Sequence, residues 1–155
     1  QFYSLFSNPQ YDEFNYEDAF ILIRNSTLNV IELENGSCAI SNSKINTKTY
    51  FSNMNVDISS SRFRADSSWT LMSVFYTNLT ARNSVFEPLI SSGHSNINIT
   101  YSIILETISG SGKTGSLYAP HNWWASNSGP SFTYFNNNSV SDWAVLSFEP
   151  HLRRR

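Results

Sequence analysis

The sequence predicts an all-β protein built as a parallel β-helix. Three observations point there: a composition rich in small polar and aromatic residues, an apolar template that recurs along the chain, and a Ser or Asn at one fixed place in each copy. Ser, Asn and Thr number 27, 18 and 10 of the 155 residues, aromatics reach 15%, and charged residues only 14%. A helical bundle draws on Ala, Leu, Glu and Lys, so this composition disfavours one. An apolar content of 40% suffices for a core and disfavours disorder. The length suits one domain.

The template is apolar, any, apolar, two residues, Ser or Asn, any, apolar. Its copies are Ile21, Ile23, Ser26, Leu28; Cys38, Ile40, Ser43, Ile45; and Val56, Ile58, Ser61, Phe63. They continue as Leu79, Ala81, Ser84, Phe86; Ile97, Ile99, Ser102, Ile104; and Leu117, Ala119, Asn122, Trp124. A degenerate copy, Tyr3, Leu5, Asn8, Gln10, precedes them. The period-two pair is a strand with one face inward. The jump of three to Ser26, Ser43, Ser61, Ser84, Ser102 and Asn122 breaks that alternation and marks a corner. The residues just before are Asn25, Asn42, Ser60, Asn83, Tyr101 and His121, and Asn tolerates a left-handed backbone best among non-glycine residues. Each repeat also carries a second apolar stretch, near residues 30–33, 49–51, 69–76, 89–90 and 105–108.

A unit of 18–23 residues cannot bury its own inner face and must stack on its neighbours. The expectation is a stack of six to seven turns over residues 1–124, on the order of 30 Å tall, with the corner Ser and Asn side chains forming a hydrogen-bonded ladder. An antiparallel sandwich explains the composition but not the aligned corners. An insertion is expected around residues 67–72, and residues 109–116 (SGSGKTGS) read as a flexible excursion. After Trp124 the template stops. Residues 125–155, which include Pro130, Pro150 and a last apolar strand at 143–148, are expected to form a C-terminal capping segment and tail.

Charge and cysteine content narrow the function. A formal net charge of −2 recommends neither nucleic acid nor an anionic membrane as partner. No apolar run approaches the ~18 residues that a membrane span requires. The chain opens at Gln1 without a leader-like segment, which suggests a mature product or an excised piece. The lone Cys38 occupies a core position of the template, where a thiol behaves as a small hydrophobe.

Candidate chemistry is sparse. Two carboxylates facing one another on adjacent turns would mark a glycosidase. The outward column Leu22, Ala39, Asp57, Thr80, Asn98, Tyr118 contains no such pair, nor does the column Thr27, Lys44, Arg62, Val85, Ile103, Trp123. A lyase would draw on Lys44, Arg62 and Arg64 with Asp57 and Asp66, which also read as a surface ion-pair patch. Asp12, Glu13, Glu17 and Asp18 read as a solvated acidic segment, and no metal or other cofactor is expected. The string at 109–114 lacks the first glycine and the helix of a phosphate-binding loop. His94 and His121 stand apart in sequence and are not expected to act as ligand or base. Trp123 is expected outward and Trp124 inward; Trp123 and Tyr118 are the candidate carbohydrate contacts. Sequons begin at Asn25, Asn35, Asn78, Asn98 and Asn137. The last four are the preferred glycosylation sites, because Asn25 stands in the corner column.

Residues 121–130 read HNWWASNSGP, and VSDWAVL follows at 140–146. This resembles the closing turn of β-helical repeat regions in the adhesin-like surface proteins of methanogenic archaea, with Ala125 in place of the usual Gly. The resemblance implies a right-handed parallel β-helix, an extracellular or cell-surface setting and an adhesive or structural role. The sequence thus predicts a non-enzymatic surface module, able to associate end to end into a fibre through its open strand edges. Glycans or cell-surface polymers are its expected partners. The alternative is a β-helix protein that binds or cleaves polysaccharide.

Overall fold

The computed structural model describes residues 20–65, 71–111, 115–125, 135–137 and 143–147, with side chains described to residue 110 and over 115–125. Its strands begin with β1 (Phe20–Arg24), β2 (Thr27–Leu28), β3 (Ile31–Ser41), β4 (Lys44–Ile45), β5 (Thr49–Ser59) and β6 (Arg62–Phe63). There follow β7 (Leu71–Phe75), β8 (Asn78–Arg82), β9 (Val85–Phe86), β10 (Leu89–Gly93) and β11 (Asn96–Thr100). The last are β12 (Ile103–Ile104), β13 (Ile108–Ser111), β14 (Gly115–Tyr118), β15 (Phe135–Asn137) and β16 (Trp143–Ser147).

All register pairs between these strands are parallel, and together they form a β-solenoid of about five turns. The six to seven turns expected include the Tyr3 copy, which lies outside the described residues. Three columns of strands run along the stack. The first joins β1, the second half of β3, the second half of β5, β8, β11, β14 and β16. The second is the short sheet β2, β4, β6, β9, β12. The third joins the first halves of β3 and β5 to β7, β10, β13 and β15.

The register follows the template. Ile21, Cys38, Val56, Leu79, Ile97 and Leu117 stand over one another, and so do Ile23, Ile40, Ile58, Ala81 and Ile99. With Leu28, Ile45, Phe63, Phe86, Ile104 and Trp124 they fill the interior together with Phe51, Met72, Val74, Ile90 and Ile108 of the third column. Each large apolar side chain withdrawn from water contributes roughly 1.5–3 kcal/mol. Phe63 and Phe86 stack with centroids 5.3 Å apart and planes 10° off parallel. Trp124 is buried, as its place in the template requires.

Both corners use left-handed residues. Asn25, Asn42, Ser60, Asn83, Tyr101 and His121 have φ between 48° and 58°, so the chain turns without glycine. A second corner, unmarked in the template, places Asn35, Asn53, Tyr76 and His94 at φ 53° to 56°, except Tyr76 at 49°. Asn35 stands within β3 and bends it there.

One expectation is corrected. Residues 109–111 complete β13 and 115–116 open β14, so these parts of the excursion expected over 109–116 are strand, and residues 112–114 lie outside the described residues. Strands β15 and β16, beyond the last template copy, extend the columns in parallel. The template could not show this, because residues 125–155 lose its spacing while keeping a strand-forming run at 143–147. The insertion is confirmed in outline: three residues lie between Ile45 and Thr49, whereas eight lie between Phe63 and Met72, their register counterparts on the next turn.

Candidate functional site

The corner between the first and second columns carries a polar side chain at every described turn. Its buried layer is a serine ladder. The N–H groups of Ser26, Ser43, Ser61 and Ser84 each donate to the Oγ of the serine one turn on, at 3.1–3.2 Å. Ser102 N–H donates to Asn122 Oδ1 at 2.8 Å. Each serine hydroxyl in turn donates to the carbonyl two residues earlier, at 2.7–2.8 Å. The corner N–H groups, turned inward by the left-handed residue, thus find partners without water. Asn122 closes the series, its Nδ2 donating to Ile99 O and Ala119 O at 2.7 and 3.0 Å.

The second corner repeats the device with other residues. Met54 N–H donates to Thr77 Oγ1 at 3.3 Å, and Thr77 N–H donates to Ser95 Oγ at 3.1 Å. This ladder escaped the sequence reading because its early turns carry Gly36 and Met54 at that place.

Outside the first ladder lies a groove of about 570 Å³ that crosses four turns. Corner residues Asn25, Asn42, Ser60 and Asn83 form one wall, and Thr27, Lys44, Arg62 and Val85, pointing outward from the second column, form the other. Arg62 and Arg64 pair with Glu87, Arg62 Nη2 at 2.5 Å from Oε1 and Arg64 Nε at 3.9 Å from Oε2. Glu87 was not among the candidates: it stands 25 residues beyond Arg62, and the five-residue insertion hides their adjacency. Of the other expected lyase residues, Asp57 projects from the first column between Ala39 and Thr80, and Asp66 lies outside the described residues. The acidic segment Asp12, Glu13, Glu17 and Asp18 also lies outside them. Among the described residues no three His, Cys, Asp or Glu side chains come together.

A smaller groove of about 340 Å³ runs beside Asn78, Asn96, Ser116 and Tyr118 on the first column. Here Asn78 Nδ2 donates to Asn55, Asn96 Nδ2 to Asn78, and Ser116 Oγ to Asn96, at 2.8–3.0 Å. Tyr118 is 41% exposed on the long sheet, while the half-buried Trp123 bridges to Ile103 of the short sheet, so the two expected sugar contacts stand on different sheets. Of the sequon asparagines, Asn25 and Asn98 are exposed with no amide bond to another side chain among the described residues. Asn78 is exposed but bonded on both sides, and Asn35 accepts from Asn53 Nδ2 at 2.7 Å. Asn137 belongs to β15, and its side chain lies outside the described residues.

The two histidines do not stand alone. His94 stacks on Tyr76 at the second corner, and His121 on Tyr101 at the first, with centroids 4.9 and 5.0 Å apart. Their spacing of one repeat from a tyrosine was the available signal. Cys38 is 2% exposed, and burial pushes its thiol from 9.0 up to about 12, which makes it inert as a nucleophile at neutral pH.

Fold and site define the class: a β-solenoid with ladders of polar side chains binding turn to turn and grooves along its corner and its first column. No protein-family model, curated protein or solved structure matches this chain.

Proposed function

We propose that this chain is a non-enzymatic structural or adhesive module of an extracellular or cell-surface glycoprotein, joined end to end into a fibre. In this reading the solenoid is right-handed, as strand crossovers in one sheet nearly always are, and runs to six or seven turns. Residues 125–155 cap it, and the likeness of residues 121–130 to the closing turn of methanogen adhesin-like proteins supports that assignment.

One observation carries the proposal. Among the described residues, β1 and β2 pair on one side only, and the interior residues Ile21, Ile23, Leu28 and Leu33 of that turn stay partly exposed while later turns bury theirs. An edge with unpaired N–H and C=O groups over an apolar interior is a template for another strand. Negative-stain imaging tests it: unbranched fibres are expected, with an axial repeat near the height of one stack. Ile23→Lys, an inward charge at the edge, should abolish fibres and leave folded particles. Dispersed wild-type particles at high concentration would refute the assembly.

The groove beside Lys44 and Arg62 favours a second reading, in which the module binds polysaccharide through that corner.

A further inference from the structure

We infer that the first-corner groove is a binding site for an acidic polysaccharide, a hydroxyl-rich sugar chain bearing carboxylates, laid along the stack axis. The inference rests on the polysaccharide reading of that groove and narrows its ligand.

The asparagines carry the argument. Four pairs elsewhere on the surface satisfy one another from turn to turn: Asn53 with Asn35, Asn78 with Asn55, Asn96 with Asn78, and Asn46 with Asn29, at 2.7–3.3 Å. Asn98 stands exposed without such a bond among the described residues. Asn25, Asn42 and Asn83 occupy a corner column with the same left-handed backbone, yet their amides bond no other side chain among the described residues. Asn25 and Asn42 even stand on adjacent turns. Their donors and acceptors remain open to the groove, at a spacing of about 4.8 Å per turn. Thr27 and Ser60 add hydroxyls to the same lining.

Charge selects the ligand's sign. Arg24 and Arg82 stand immediately before Asn25 and Asn83, Lys44 and Arg62 line the opposite wall, and Arg64 follows two residues on. Among the described residues five cations thus border this corner against one carboxylate, Glu87, which pairs with Arg62 and Arg64, although the whole chain carries a net charge of −2. Lys44, Arg24 and Arg82 have no ion-pair partner among the described residues. Lys44 lies in register with Arg62 one turn on, so the Lys44 ammonium and the Glu87-bound Arg62 guanidinium stand a single rung apart.

The lining also argues against a nucleic acid. It holds amides, hydroxyls and cations but no aromatic ring on which successive bases could stack. Tyr101, next after Asn83 in the corner column, is 58% exposed and stacked on His121. It supplies a single platform at the groove's end, suited to one sugar ring.

Retention on beads carrying polygalacturonate, dextran or single-stranded poly(dT) tests the inference, with wild type, Lys44→Ala/Arg62→Ala and Lys48→Ala. Lys48 serves as control because it lies before the third column and pairs with Glu32. Wild type should be retained on polygalacturonate in preference to dextran and poly(dT), and released by salt. The double variant should bind about tenfold more weakly, with Lys48→Ala unchanged and circular dichroism showing all three folded. Equal retention on dextran would overturn the acidic ligand and leave the polysaccharide reading standing; no retention on either sugar removes both. Stronger retention on poly(dT), or equal weakening by Lys48→Ala, would also overturn it.

Discussion

Replacing Ser61 by Ala tests whether the buried corner ladder binds one turn to the next. The Ser61 hydroxyl accepts from Ser43 N–H at 3.2 Å and donates to Ser59 O at 2.8 Å, in a residue only 4% exposed. Alanine preserves the backbone and Cβ but deletes both bonds. Each is worth about 1 kcal/mol net, and the Ser43 N–H stranded in the corner adds a desolvation cost of about 1–3 kcal/mol. The sum is about 3–5 kcal/mol. Ser26 at the first turn is the internal control, because its hydroxyl donates to Arg24 O at 2.7 Å but accepts from no N–H among the described residues. Ser26→Ala strands no donor there and should cost about 0.5–1 kcal/mol. Urea unfolding followed by circular dichroism measures both. Amide exchange reads the mechanism directly, since the Ser43 N–H should lose protection in Ser61→Ala ahead of amides two turns away. Equal costs for the two variants, or an undiminished Ser43 protection factor, would refute the ladder as a source of stability.

Other perturbations reach different parts of the structure. Phe86→Ala empties half of the Phe63–Phe86 stack in the second column and should cost about 3–5 kcal/mol in thermal or urea unfolding; a loss below 1 kcal/mol would mean that the core collapses freely around the gap. Ser60→Val places a β-branched residue at φ 48° and should destabilise by about 1–2 kcal/mol, whereas Ser60→Asn should be neutral or better; the reverse order in melting temperature would contradict the corner geometry. Cys38 should resist a thiol reagent until the protein unfolds. Because folding raises its pKa from 9.0 to about 12, the stabilisation is complete below pH 9 and is lost as pH rises towards 12, on the order of 4 kcal/mol over that window. Wild type should therefore lose stability faster than Cys38→Val between those pH values, and parallel pH profiles would refute it.

Much of the fold was legible because its determinants are local. Alternation of period two assigns Val56 and Ile58 inward and Asp57 outward wherever the strand is placed. The Asn25, Asn42 and Asn83 corners announced themselves by residue type. What stayed hidden depended on comparing turns of unequal length. The five extra residues between Phe63 and Met72 separated Glu87 from Arg62, and the second corner was masked because Asn35, Asn53, Tyr76 and His94 are followed by four different residues, Gly36, Met54, Thr77 and Ser95. Strands β15 and β16 carry no template spacing at all, so only their pairing to β13 and β14 identifies them as part of the stack.

The sequence by itself determined the class of fold, the inward residues and the left-handed first corner, since each follows from the conformational preference or polarity of a few neighbouring residues. The tertiary structure decided which polar groups are used up and which stay available. Asn53 meets Asn35 across a turn while Asn42 leaves Asn25 unbonded, though both pairs share residue type and corner conformation. Such a difference arises from side-chain direction and from what stands beside each asparagine on the neighbouring column. Those are properties of the assembled stack, and they separate a ladder that binds turns together from a groove open to a ligand.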